Sequence, residues 1–182
     1  LPNGIPLPRA IDREERQRAR AMFGIAGPTL AVIGRLSPEK GHPVLLKALK
    51  AMRTTPTVLV AGDGPSRTMW ERAAQRRRIR LLGVRDDVRP VYAASDLVVL
   101  PSLTEGLPLV ALEAMAHGLP LVASSVGDLP GLCSDGAGEL VPPASPRALA
   151  ETLDRIVGSP GLRRRLSEAG RIRVRSAYSA EA

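Results

Sequence analysis

The sequence predicts an α/β domain: a doubly wound, mainly parallel six-stranded sheet with helices on both faces, in the Rossmann-like manner. Three observations carry that expectation. Short, continuous apolar runs such as Thr29–Ile33, Thr57–Ala61 and Leu97–Leu100 recur along the chain. A strand without polar alternation is buried on both faces, as in a parallel sheet. Segments of helical spacing lie between these runs, and strand–helix alternation with short links is the pattern of layered α/β folds. Aromatic residues make up only 2% of the chain, so its core must be filled by Leu, Val, Ile and Ala.

Residues 1–28 read as a junction or edge segment, with a turn at Asn3-Gly4, a charged helix over 11–22 and a break over 24–28. The domain proper spans 29–178. Thr29–Ile33 is its first strand, 34–40 a loop and 42–52 a helix. Thr57–Ala61 is the second strand and ends on the turn Gly62-Asp63-Gly64-Pro65, where glycine supplies positive φ. An Arg-rich helix over 66–78 leads to a third strand over 79–82, broken by Gly83. A helical turn or two over 86–94 can be capped by Asp86 or Asp87. Leu97–Leu100 is the fourth strand. Pro108 suits the first turn of the helix that follows, and Gly118 its C-terminal stop. Strands at 121–123 and Glu139–Val141 and helices at Pro146–Val157 and Pro160–Ala177 complete the chain.

A length of 182 residues fits one domain with a real core. No apolar run approaches the roughly 20 residues of a membrane span. The opening Leu1-Pro2-Asn3-Gly4 has neither an initiator Met nor the basic start and apolar core of a secretory leader. The chain is expected to be a fragment or an excised domain. The single cysteine, Cys133, excludes an internal disulfide framework and fits a reducing compartment. With His42 and His117 as the only histidines, no metal site is expected. His42 should cap its helix, and His117 should interact with the dipole at a helix C-terminus.

The net charge is +8, and much of it lies in Arg76-Arg77-Arg78 with Arg80 and in Arg163-Arg164-Arg165 with Arg171, Arg173 and Arg175. A solvated basic face and an anionic membrane surface both fit these clusters. Nucleic acid is not expected, because stacking aromatics are nearly absent and no binding motif is present.

The chemistry concentrates in the loops after the strands, where open α/β sheets bind ligands. Glu105 and Glu113 are separated by seven residues that are nearly all apolar or turn-forming. A carboxylate in such a segment needs a partner. Both flank a helix N-terminus, whose free amides and dipole favour a phosphate. After the first strand comes Gly34-Arg35-Leu36-Ser37-Pro38-Glu39-Lys40-Gly41. Its one guanidinium and one ammonium can match the charge of a diphosphate.

These motifs resemble those of retaining glycosyltransferases of family 4 (group 1), which have the two-Rossmann B-type fold and use nucleotide-sugar donors. The Glu-x7-Glu spacing and the Gly-Arg-Leu…Glu-Lys-Gly signature carry the resemblance. Gly62-Asp63-Gly64-Pro65 and the opening Pro-Asn-Gly support it, the latter at the crossing into the C-terminal half. The resemblance implies that Arg35 and Lys40 hold the donor diphosphate, Glu113 the ribose and Glu105 the donor sugar. Gly34, Gly106 and Leu107 would line the donor site, with the amides of Leu109 and Val110 on phosphate because Pro108 has none to give. Backbone near Val84 would read the base, with Arg85 stacking or pairing.

The resemblance further implies a UDP-, GDP- or ADP-linked donor with no added cofactor or metal. Its acceptor half would be N-terminal and absent from this chain. Activity would be weak or missing in isolation, and the location cytoplasmic, at times peripheral at the inner membrane face. The loop Val126-Gly127-Asp128-Leu129-Pro130-Gly131 departs from the family's pattern, with Asp128 and Gly131 in place of a second Gly and a Glu. A nucleotide-sugar epimerase or a phosphorylase of the same fold, and a non-catalytic nucleotide-binding domain, are the alternatives. The former lack their extra acid–base or pyridoxal-binding residues here.

Overall fold

A computed structural model describes residues 5–178, so the turn expected at Asn3-Gly4 lies outside the described residues. After α1 (Arg13–Met22), β1 (Thr29–Ile33) leads through a 3-10 turn at Pro38–Lys40 to α2 (His42–Ala51). Then β2 (Thr57–Ala61) leads to α3 (Arg67–Ala74), β3 (Ile79–Gly83) to α4 (Arg89–Ala94), and β4 (Leu97–Leu100) to α5 (Leu109–Ala116). β5 (Leu121–Ser124) is followed by α6 (Leu129–Leu132), a 3-10 turn at Ser134–Gly136 and β6 (Glu139–Val141). α7 (Pro146–Val157) and α8 (Pro160–Ala177) follow.

All six strands pair in parallel, in the order β3-β2-β1-β4-β5-β6. This is the doubly wound sheet that the apolar runs imply. Successive strand residues feed different layers, which is why the runs show no polar alternation. Leu30, Val58, Leu97 and Val122 pack with Leu45, Trp70 and Leu153 beneath α2, α3 and α7. Ala31, Leu59, Val98 and Leu121 pack with Ala19, Tyr92 and Leu112 beneath α1, α4 and α5. Each fully buried Leu or Val contributes about 1.5–3 kcal/mol. α8 joins the two layers, with Leu166 in one core and Val174 in the other.

α1 packs against α4, and an ion pair adds to its apolar contact with the sheet. Arg16 reaches Asp96 at 2.6 Å, and Asp96 also accepts from the amide of Thr29 at 2.8 Å. One carboxylate thus ties α1 to the starts of β1 and β4.

Helix lengths differ from expectation where side chains intervene. The helix expected over 66–78 stops at Ala74. Arg77 instead turns inward to donate to the carbonyl of Leu49 (2.7 Å), while the carbonyl of Arg78 receives Val58 N–H to begin the β2–β3 pairing. α4 begins only at Arg89, whose amide donates to the Asp87 carboxylate at 2.9 Å. Pro108 is the residue before α5 and not its first helical position, with extended backbone (φ −73°, ψ 127°).

Candidate functional site

The strand order reverses direction between β1 and β4. The chain leaves β1 for α2 on one face and leaves β4 for α5 on the other. The two loops therefore part at the carboxyl edge of the sheet and open a crevice there, the usual ligand position in such folds. Loop 34–41 and loop 101–108 form its walls.

The two walls touch through backbone. Leu103 N–H donates to the carbonyl of Glu39 at 2.8 Å. Gly41 has φ +65°, and a Cβ there would sit 1.9 Å from the carbonyl oxygen of Pro101, so only glycine fits. From the other side, loop 34–41 is pinned to the turn after β2, with Leu36 N–H on Asp63 O (2.9 Å) and Ser66 N–H on Leu36 O (2.7 Å).

This approach brings two of the sequence-identified side chains together. Lys40 Nζ donates to Glu105 Oε1 at 2.6 Å, and the Glu105 side chain is only 9% exposed. The hydroxyl of buried Ser102 donates to the same oxygen at 2.8 Å. Both donors use Oε1, so Oε2 has no partner among the described residues. The loop after β5 braces this carboxylate from behind. Gly127 packs so tightly on Glu105 that a Cβ would come within 2.0 Å of the Glu105 carbonyl oxygen. The departing Val126–Gly131 sequence therefore still has a physical task at the site.

Arg35 does not join the Lys40–Glu105 pair. It is exposed, without an ion pair or side-chain hydrogen bond among the described residues. With Gly34, Gly62, Val84 and Arg85 it lines a shallow pocket of about 250 Å³ on the β2–β3 side of the crevice. Val84 is 74% exposed there, an apolar side chain open to solvent.

α5 starts at Leu109, at the mouth of the crevice, after exposed Gly106 and half-buried Leu107. The amide of Ala111 is bonded to Pro108 O (3.0 Å), while those of Leu109 and Val110 belong to the turn that has no intrahelical acceptor. Leu109 is 52% exposed and Val110 half-buried.

Glu113, one turn further, accepts from the Tyr92 hydroxyl at 2.8 Å through Oε2. Burial, then the Glu113 charge, raises the Tyr92 phenol far above its usual range, so it stays a donor. The ring of His117 tilts against Tyr92 at 4.9 Å. Burial chiefly, then the Arg89 charge, pushes the His117 pKa down to about 4. The ring is therefore neutral near pH 7 and carries no charge for the helix dipole, contrary to the sequence expectation.

His42 does not cap α2 either. Its ring is 3% exposed and lies edge-on to Trp70 at 5.5 Å, and neither nitrogen has a side-chain hydrogen bond among the described residues. Burial lowers its pKa. Cys133 is buried, and burial pushes its thiol up to about 12. Among the described residues no group of three His, Cys, Asp or Glu is placed to hold a metal.

The sequence reading missed Ser102 and Tyr92. Tyr92 carried a signal, being one of two tyrosines in a chain nearly free of aromatics. A buried phenol needs a polar partner. Ser102 had none, because a serine after a strand is common.

The basic clusters are partly structural. Arg163 holds the carbonyls of Ile156 and Val157, and Arg173 that of Gly131. Arg164, Arg171 and Arg175 instead line a groove of about 610 Å³ beside Leu7 and Ile172.

Comparison with known proteins follows the same lines. Residues 27–159 match the family described as Glycosyl transferases group 1. The chain is 36% identical over 170 residues to the D-inositol 3-phosphate glycosyltransferase of Corynebacterium glutamicum, covering 84% of this chain and 41% of that protein. It is 24% identical to Anabaena HepE in complex with UDP and glucose, with a TM-score of 0.88 over 97% of this chain and 52% of that one. It is 26% identical to the C-terminal domain of the group 1 glycosyltransferase LpcC of Francisella tularensis, with a TM-score of 0.82, covering 97% of this chain and 100% of that one. The chain thus spans less than half the length of its curated relative and the whole of an isolated C-terminal domain. By sequence and by fold, this chain belongs to the group 1 glycosyltransferases.

Proposed function

We propose that this domain is the donor-binding half of a retaining, metal-independent glycosyltransferase, taking a nucleoside-diphosphate sugar into the crevice between β1 and β4. The observation that carries the reading is the meeting of Lys40 and Glu105 at the topological switch point, each at the end of its own loop. A cation and an acid on opposite walls suit a ligand that has a diphosphate at one end and hydroxyls at the other.

In this reading the base lies over Val84, beside Gly34 and Arg85, and the ribose diol reaches Glu113. Arg35 and Lys40 take the diphosphate, with the Leu109 and Val110 amides at the dipole end of α5. Glu105, in the loop with Gly106 and Leu107, accepts from hydroxyls of the sugar through its open Oε2. As the bond from the anomeric carbon to the phosphate oxygen breaks, charge grows on the departing diphosphate. Fixed cations interact more strongly with that charge than with the ground state, which lowers the barrier. The same two cations do the work a divalent ion would do. UDP and glucose bound to HepE support a nucleotide-sugar ligand for this fold.

The acceptor belongs to the half of the protein not in this chain, so the domain alone transfers slowly or not at all. Work on nucleotide sugars puts it in the cytoplasm. The groove of Arg164, Arg171 and Arg175 beside exposed Ile172 suits attraction to an anionic membrane surface.

Titration calorimetry with UDP, GDP and ADP and their glucose conjugates tests the reading. One nucleotide family should bind with a 1:1 stoichiometry, and Lys40→Ala should weaken it. Absence of heat from the whole panel would overturn it.

A further inference from the structure

We propose that Tyr92 is a positioning residue that orients Glu113 for a neutral diol, and so sets the preference for ribose over deoxyribose. The proposal rests on the donor reading above and deepens it. Its ground is the way Glu113 is held. Among the described residues this carboxylate has no ion-pair partner, and its one hydrogen bond comes from the Tyr92 hydroxyl at 2.8 Å.

The charged groups around it are otherwise engaged. Arg89, which lines the same pocket of about 260 Å³, is committed to Glu15 at 2.5 and 2.9 Å. Asp86 and Asp87 are acceptors, with Asp87 bonded to the Arg89 amide. His117 is the remaining titratable neighbour, and its ring packs on Tyr92.

The choice of donor has a chemical consequence. An arginine in place of Tyr92 would engage both carboxylate oxygens with its planar fork and leave little to offer a ligand. A phenol gives a single O–H. It fixes Oε2 and leaves Oε1 open, with the negative charge intact. A bare carboxylate oxygen only accepts, so its complement is a donor without negative charge. That excludes phosphate and suits hydroxyls, and a vicinal diol brings two O–H donors to one carboxylate.

Geometry keeps this arrangement rigid. Tyr92, on α4, is 1% exposed, with the His117 ring from the end of α5 against it at 4.9 Å. The hydroxyl cannot swing away without moving the core. Removing it should free the Glu113 carboxylate to rotate, which weakens a ribose ligand but not one that lacks the diol.

The test is calorimetry of the 182-residue chain with the best-binding nucleoside diphosphate and its 2′,3′-dideoxy counterpart. The unaltered chain should prefer the ribose form by at least about tenfold, from hydrogen bonds to a charged group. In Tyr92→Phe that preference should fall to about threefold or less, with dideoxy affinity unchanged. A purely structural role would weaken both ligands alike, and that result overturns the proposal. So does an unchanged preference in a folded Tyr92→Phe.

An unaltered chain that binds both forms equally removes the ribose role of Glu113 itself, a different failure from that of Tyr92. If Tyr92→Phe does not fold, 3-fluorotyrosine placed in a Tyr178→Phe background reports on Tyr92 alone. Its fluorine resonance should shift with the ribose ligand and not with the dideoxy one, and a lack of ribose-dependent shift overturns the proposal.

Discussion

Lys40 Nζ stands 2.6 Å from Glu105 Oε1, joining two loops that are 65 residues apart in the chain. The cation proposed for the diphosphate and the acid proposed for the sugar neutralise each other while no ligand is bound. A diphosphate entering the crevice competes with Glu105 for Lys40.

The competition gives opposite signs to two substitutions. Lys40→Ala removes a charge-assisted contact worth about 1.5–3 kcal/mol, so nucleoside diphosphate affinity should fall about tenfold to a hundredfold. Glu105→Gln removes the competitor, so affinity for the sugar-free diphosphate should hold or rise. Transfer by a protein that joins this domain to the acceptor half proposed above should be nearly abolished by Glu105→Gln. Calorimetry and a transfer assay read the two effects. Weaker diphosphate binding in a folded Glu105→Gln would count against the shared-cation account.

Two glycine substitutions separate backbone need from mere presence. Gly41→Ala places a Cβ 1.9 Å from a carbonyl oxygen at φ +65°. The strained backbone costs about 1–3 kcal/mol, before the loops are pushed apart. Gly161, near the start of α8, has nothing within 4 Å of its would-be Cβ. Gly161→Ala should add about 0.4–1 kcal/mol by restricting the unfolded chain. Urea denaturation of both variants checks the pair, and a stabilised Gly41→Ala would refute the close-approach argument.

The architecture was legible because a parallel strand advertises itself. Val58–Ala61 and Leu97–Leu100 are apolar throughout, and the ends of their strands fall where the flanking turn residues put them. The loops were legible as motifs, since Arg35, Lys40, Glu105 and Glu113 differ sharply from the apolar chain around them. What stayed hidden depends on distance through space. No sequence spacing reports that Ser102 and Lys40 share one carboxylate oxygen, or that Tyr92 reaches Glu113 from the preceding helix. α6 was missed because its four residues are too few to display a period. The histidines were misjudged because position near a helix end says nothing of burial.

Metal independence has its own test. If Arg35 and Lys40 hold the diphosphate, affinity for UDP, GDP or ADP should be the same in EDTA as in excess Mg²⁺. A rise of tenfold or more with Mg²⁺ would mean that the crevice needs a cation beyond those two.

Acid should destabilise the domain first through its histidines. The His117 pKa is lowered from 6.5 to about 4, chiefly by burial and then by Arg89, with Glu15 and Asp87 opposing. As pH falls from 6.5, the unfolded chain takes up a proton that the folded ring refuses until about pH 4. Stability from the neutral ring is thus complete above pH 6.5, lost across that window, and falls no further below it. The loss from this ring should be on the order of 2 kcal/mol, allowing for its partial access to water. His42 is lowered in the same direction by burial, so it adds to the slope. Carboxylates with lowered values, such as Asp154 (ordinary value 3.8) and Glu15 (4.5), lose their contribution only as pH drops beneath those values. The upper part of the window therefore belongs to the two histidines. Urea unfolding of the chain and of His117→Gln at several pH values separates them. The variant should show a shallower decline between pH 6.5 and 4.5, and equal slopes in the two proteins would mean that the ring protonates as readily in the folded state as in the unfolded one.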